Sequence, residues 1–392
     1  MQRWGMGIVA LLLAVAAEAV AYDGPVEKKV FTLPTYTTVG GQTIKQVRVG
    51  YETYGTLAPT RDNVILITHF FSGTSHAAGR YRPTDPAPGY WDAIIGAGKP
   101  VDTDRFFVVS SDTLVNLNVK DPNTVTTGPA SINPDTGRPY GMRFPIVTIR
   151  DFVNVQKALL DALGVRRLRA VMGASMGALQ AFEWAAAYPE MVERIVPVIG
   201  AAEVDAYTIG WLHLWGAPIR LDPRWNGGDY YGRDEPVDGL TLALKLVTLH
   251  ARHWVWADRT YGRRWAKPDR DPGKAWEHQF AIEAGLESLA AARARVADAN
   301  SFLYLVRANQ LFVTGHRSTL EEGLKRVKAP VLLLPASSDL LLVPEHSRRV
   351  RALLAAQGTP VEYIEIEGDG GHLDGILAIA KVGDAIRRFL GR

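Results

Sequence analysis

The sequence predicts an α/β protein: a mostly parallel sheet with helices on both faces, interrupted by an inserted helical lid. Three observations carry that expectation. Apolar runs at residues 63–69, 168–172, 193–199 and 331–335 show no polar alternation, as strands buried on both faces require. Stretches of helical periodicity separate several of them, the arrangement of parallel strands joined by crossover helices. Between about residues 202 and 327 no buried strand is readable, helical periodicity prevails, and seven of the ten tryptophans fall between Trp211 and Trp276.

Taken in order, residues 28–54 read as an antiparallel hairpin, with Val47, Val49 and Tyr51 alternating with polar residues after a Gly40-Gly41 turn. The run 63–69 is a buried strand that ends in the loop Phe70-Phe71-Ser72-Gly73. A strand at 105–110, a helix at 147–163 and a strand at 168–172 follow. The helix after Ser175 runs to Tyr188, where Pro189 stops it, and 193–199 is another strand. Beyond the helical stretch come a strand at 331–335, a helix at 344–357, a strand at 361–366 and a final helix over about 373–390. The expected organisation is a core of residues 22–202 and 328–392 with a lid at 203–327.

Composition narrows the function classes. The 44 basic and 41 acidic residues give a net charge of +3, and the arginines are scattered, so no nucleic-acid footprint is expected. Residues 1–21 combine a positive start, an apolar run from Gly7 to Ala17 and the small residues Ala19-Val20-Ala21. That is the pattern of a secretory signal peptide, with an uncleaved anchor as the alternative. Periplasmic or secreted localisation, with no stable membrane insertion after cleavage, is the expectation. There is no cysteine, so the exported chain would hold no disulfide.

The chemistry centres on Gly173-Ala174-Ser175-Met176-Gly177, which sits between a strand and a helix. This is the G-x-S-x-G elbow, a tight turn that lifts the serine hydroxyl above a sheet. A serine hydroxyl is a poor nucleophile until a base takes its proton. Asp339 and His372 each follow a predicted strand, so both fall at the sheet edge where Ser175 stands. The chain order Ser, Asp, His is that of the α/β-hydrolase fold. Asp339 has an alternative role as a cap of the helix near Pro344, and Asp369 is a rival partner for His372 in the same glycine-rich loop. For the oxyanion hole, the backbone N–H groups of Met176 and Phe71 are the expected donors. His69 and His76 lie near that loop and are candidates to line the pocket. The mechanism requires no metal and no organic cofactor; the partner is a small-molecule ester.

Several stretches go beyond the elbow: Tyr51-Glu52-Thr53-Tyr54-Gly55, His69-Phe70-Phe71-Ser72-Gly73, 127–134, Pro139-Tyr140-Gly141-Met142-Arg143-Phe144-Pro145, Gln180-Ala181-Phe182-Glu183-Trp184 and 222–231. Through them the chain resembles the homoserine O-acetyltransferase family of the α/β-hydrolase fold over nearly all of its mature length. The resemblance implies Ser175 as nucleophile, His372 as general base and Asp339 as its partner. It also implies substrate contacts from Arg143, Tyr231 and Asp374, and a homodimer through the lid. The family's substrate-binding arginine on the first lid helix aligns with Gly216, and its acidic residue directly after the catalytic histidine is replaced by Leu373, with Asp374 one step further on. Together with export, these departures imply water or an extracytoplasmic alcohol as acceptor. An esterase is the first expectation, an O-acyltransferase the second, and a non-catalytic binding protein on the same scaffold the third.

Overall fold

Strand runs rich in Val, Ile and Leu bury both faces only if helices cover them on either side. The computed structural model, which describes residues 25–392, shows that arrangement; the signal peptide expected at residues 1–21 lies outside the described residues. The strands are β1 (Lys29–Thr37), β2 (Thr43–Tyr54), β3 (Val64–Thr68), β4 (Phe107–Ser111), β5 (Ala170–Ala174), β6 (Ile195–Val198), β7 (Val331–Leu333) and β8 (Val361–Tyr363). They form one sheet in the order β1-β2-β4-β3-β5-β6-β7-β8. The hairpin β1-β2 and its junction with β4 are antiparallel, and every later pair is parallel.

Alternation within the central strands divides the core in two. Val64 and Leu66 of β3 point into one apolar layer with Phe152 and Phe182, while Ile65 and Ile67 point into the other with Trp91 and Phe389. The first layer is built by α1 (Ile149–Ala162) and α2 (Met176–Ala187). Helix α1 starts at a capping box, where Thr148 accepts from the Asp151 amide and Asp151 accepts from the Thr148 amide.

Between β6 and β7 the chain leaves the sheet and makes α3 (Ala206–Leu221), α4 (Val237–His250), α5 (Trp254–Thr260), α6 (Ala281–Ala294), α7 (Ala299–Gln310) and α8 (Leu320–Lys325). Helices α3, α4, α6 and α7 pack on one another and lie over the strand ends that carry the elbow. Helix α9 (Pro344–Ala356) connects β7 to β8.

The expected last helix, 373–390, is not continuous. It divides into a 3₁₀ turn at Gly371–Leu373, α10 (Asp374–Leu377), a second 3₁₀ turn at Ile379–Val382 and α11 (Gly383–Gly391). Ile376, Ile379, Val382, Ile386 and Phe389 nevertheless all reach the second apolar layer. Strand β8 is also shorter than 361–366; beyond Tyr363 the chain stays beside β7's continuation through the Ile364 and Ile366 amides, which donate to Leu333 and Pro335, and through an isolated bridge between Ala336 and Ile366.

Candidate active site

Ser175 stands at the junction of β5 and α2 with φ +57° and ψ −119°, a left-handed conformation that a non-glycine residue adopts only under constraint. The constraint is the close approach of α2 to β3. A Cβ on Gly173 would stand 2.1 Å from Thr68 Oγ1, and one on Gly177 would stand 2.1 Å from the Thr68 carbonyl oxygen. The two glycines therefore let the helix press against the sheet, which turns the serine outward. Thr68 ties the junction by donating to the Gly177 carbonyl at 2.8 Å.

The loops after β7 and β8 bring the other two groups to the same edge. His372 Nε2 lies 2.8 Å from Ser175 Oγ, and His372 Nδ1 lies 2.6 Å from Asp339 Oδ2. Asp339 is buried, and its second oxygen accepts from the amides of Leu341 and Leu342 at 2.8 and 3.1 Å. A carboxylate fixed in this way fixes the imidazole tautomer: Nδ1–H donates to Asp339, leaving Nε2 free to accept the serine proton. The helix-cap alternative for Asp339 is set aside, since α9 begins after Val343. Asp369 is engaged with Arg259 of α5 and does not reach the imidazole.

Among the described residues, the N–H groups of Phe71 and Met176 have no hydrogen-bond partner, and both residues lie at the wall beside Ser175. Two unpaired donors at a nucleophile are what a developing oxyanion requires. The loop that carries Phe71 is held from below. His69 is fully buried; its Nδ1–H donates to the Phe70 carbonyl, and its Nε2 accepts from the Thr113 amide and Asn116 Nδ2, each at 3.2 Å. Burial, reinforced by the charge of Lys28, pulls the His69 pKa down to about 4, so the ring is neutral. Asn116 and Asn118 donate to the carbonyls of Gly73 and Ser72 at 3.0 and 3.1 Å. The sequence marks the stretch Val115-Asn116-Leu117-Asn118-Val119-Lys120 only as replacing the family's glycine-containing loop after the fourth strand; it does not assign the two asparagines a role at the site.

Ser175 and His372 open into a cavity of about 330 Å³, walled mainly by apolar side chains including Trp215, Leu341, Leu373 and Ile376. Phe71 packs edge-on against Trp215 and Phe302, with ring centroids 5.7 and 5.2 Å apart. The lid tryptophans thus divide: Trp215 closes the cavity, whereas Trp276 is 97% exposed.

The structure places the expected substrate contacts outside the cavity. His69 lies beneath the oxyanion loop and His76 faces Glu52 at 3.1 Å, so neither lines the cavity. Arg143 is exposed and pairs with Asp229 at 3.0 Å. Tyr231 is turned to Asp298 and Asn300, at 3.2 Å each. Asp374 is buried against the glycine-rich loop, accepting from the Gly370 amide at 2.9 Å and from Ser338 Oγ at 3.4 Å. In each case nearby polar partners, which sequence spacing does not reveal, draw the side chain away from Ser175. Gly216 likewise faces a separate pocket lined by Arg220 and Arg307.

Comparison with known proteins agrees with this architecture. A model of the alpha/beta hydrolase fold family matches residues 98–378. The homoserine O-acetyltransferase of Symbiobacterium thermophilum is 40% identical over 353 residues, covering 89% of this chain and 90% of that protein. The crystal structure of esterase E22 superposes with a TM-score of 0.90 at 50% identity, covering 93% of this chain and 100% of that one. The homoserine O-acetyltransferase of Bacillus anthracis superposes with a TM-score of 0.90 at 40% identity, covering 94% and 98%. With the elbow, the sheet and this breadth of similarity in agreement, the chain belongs to the homoserine O-acetyltransferase family of α/β-hydrolase-fold enzymes, which join acyltransferases and esterases.

Proposed function

We propose that this enzyme is an exported esterase that works through an acyl-serine intermediate. The observation that carries the chemistry is the 2.8 Å contact between His372 Nε2 and Ser175 Oγ at the floor of an apolar cavity. Ser175 Oγ attacks the ester carbonyl as His372 takes its proton. The tetrahedral oxyanion is held by the N–H groups of Phe71 and Met176. When the ester C–O bond breaks, His372 returns the proton to the leaving alkoxide, and Asp339 stabilises the imidazolium between the two transfers. Water, activated by the same imidazole, then releases the acid.

Hydrolysis is favoured over transfer because the residue after His372 is Leu373, which presents an aliphatic wall to the cavity. The 50% identity to an esterase points the same way. Transfer to an alcohol is the second reading, supported by the 40% identity to homoserine O-acetyltransferases. Both share the first half-reaction and differ in which nucleophile reaches the acyl-enzyme.

The first test is turnover of 4-nitrophenyl acetate and labelling by a fluorophosphonate, beside Ser175→Ala. Loss of both in the variant, with a rate drop of about 10³-fold or more, is the expected outcome. Turnover unchanged in Ser175→Ala would sink the proposal. Product analysis with an alcohol panel separates the readings, since ester products in preference to free acid would establish transfer.

Export rests on the signal-like residues 1–21. The expected outcome is a periplasmic protein whose intact mass corresponds to a start near Tyr22; retention of the full-length mass in the cytoplasm would overturn it. We further propose a homodimer through the lid. Leu214 and Leu221 of α3 and Leu242 of α4 are exposed along one groove between the two helices.

A further inference from the structure

The Ser175 cavity is apolar except at one side, where two arginines face it from the lid. Arg293 belongs to the last turn of α6, one helical turn beyond Leu289, which also lines the cavity. Arg252 lies two residues past the end of α4. Neither forms an ion pair among the described residues.

Arg293 is held rather than loose. Its Nη1 donates to Thr248 Oγ1 at 2.9 Å, and Thr248 in turn donates to the Leu244 carbonyl at 2.7 Å. Among the described residues the other donors of the guanidinium have no acceptor. Burial alone pulls its pKa down to about 10, with no carboxylate opposing the shift, so at neutral pH it remains a cation without a counterion. Arg252 lies over the Trp256 ring at 4.7 Å, and its buried Nε has no partner. The acidic group acting on Arg252 is Asp374, whose carboxylate is already bonded to Gly370 and Ser338.

A half-buried cation that faces an apolar cavity without a counterion is a ready partner for an anion. Every other part of this cavity wall can be explained by closing over an acyl chain; the guanidiniums cannot. We propose that Arg293, assisted by Arg252, forms a carboxylate-binding subsite, so that the preferred substrates are small esters bearing a carboxylate. This rests on the esterase reading and names its substrate class. A planar guanidinium matches a carboxylate through two parallel N–H···O bonds, and the aliphatic walls of Leu289, Leu341 and Ile376 suit the short chain between the two ends.

The carboxylate can sit on the acyl part or on the alcohol part of the ester, and the test has an arm for each. The first compares kcat/KM for 4-nitrophenyl hydrogen glutarate with that for 4-nitrophenyl pentanoate. The second compares 4-acetoxybutyrate with its methyl ester. The expected result is a preference for the anionic member in at least one arm of about tenfold, falling towards parity in Arg293→Met and less far in Arg293→Lys. No anionic preference in either arm, or a preference that survives Arg293→Met unchanged, overturns the subsite.

Two further measurements do not depend on turnover. Monomethyl glutarate should raise the melting temperature of Ser175→Ala above that seen with dimethyl glutarate. It should also inhibit 4-nitrophenyl pentanoate turnover by the native enzyme competitively, at about tenfold lower concentration than dimethyl glutarate does. Equal effects of the two compounds overturn the subsite. A native enzyme inactive on all four esters fails the esterase reading instead, and the Ser175→Ala melting experiment then still decides the subsite.

Discussion

At the scale of single residues, the site depends on what is missing as much as on what is present. The left-handed backbone of Ser175 is tolerated because Gly173 and Gly177 remove the Cβ atoms that would separate β3, β5 and α2. In Gly177→Ala the new methyl meets the Thr68 carbonyl oxygen at 2.1 Å, a backbone atom that can yield only by moving the strand. Overpacking of this kind costs about 1–3 kcal/mol, and the upper end is expected here. The thermal midpoint should fall, and ester turnover should fall further than stability does, because the displaced elbow carries Ser175 away from His372. Gly210→Ala on α3 is the contrast: no atom stands within 4 Å of the added Cβ, so that variant should be neutral or slightly stabilising. Similar losses in both variants would contradict the close-approach argument.

At the scale of elements, the critical piece is the segment after β3, which supplies Phe71. It is tied to β2 and β4 by a buried polar cluster around Glu52. Lys28 Nζ lies 2.8 Å from Glu52 and 3.6 Å from Asp112, while Tyr54, Tyr81 and His76 donate to Glu52 at 2.6, 2.5 and 3.1 Å. Burial by itself would raise the Glu52 pKa, but the His76 and Lys28 contacts outweigh it and hold the carboxyl at about 2. Because this lies below the ordinary value of 4.5, the stabilisation is fully present above about pH 4.5 and is lost as pH falls towards about 2. Glu52→Gln leaves Lys28 buried beside Asp112 alone, and breaking such a pair costs about 3–5 kcal/mol. Denaturant melts at pH 7 should show a loss of that order, and melts at pH 3 a smaller one. A loss independent of pH would mean that packing, not charge, is what Glu52 contributes.

At the scale of the whole molecule, the parallel sheet gathers three loops far apart in the chain at one edge, and the helices between β6 and β7 roof them. That roof also has an outer face. Leu221 is 81% exposed, and Leu214 and Leu242 are about half exposed on the adjoining groove. The dimer proposed through this face predicts a molecular mass near twice that of the chain by light scattering, reduced to the monomer in Leu221→Glu. A native monomer at micromolar concentration would end that proposal.

The elbow, the order of Ser175, Asp339 and His372, and the buried strands were all readable from residue order. Each is written locally: in glycine spacing, in unbroken apolar runs, and in the position of a polar residue just past a strand. The family resemblance was readable for the same reason, through contiguous motifs. What residue order left open was decided by contacts between distant segments. Asp339 faces the imidazole because the amides of Leu341 and Leu342 fix its other oxygen, while Asp369 is turned to Arg259 of α5. His69 supports the oxyanion loop because Thr113 and Asn116 meet its ring from the loop after β4. Arg252 and Arg293 reach the cavity because α4 and α6 pack together and turn those residues inward. A helix's own sequence sets its periodicity, but only its neighbours set which polar side chain ends up facing the substrate.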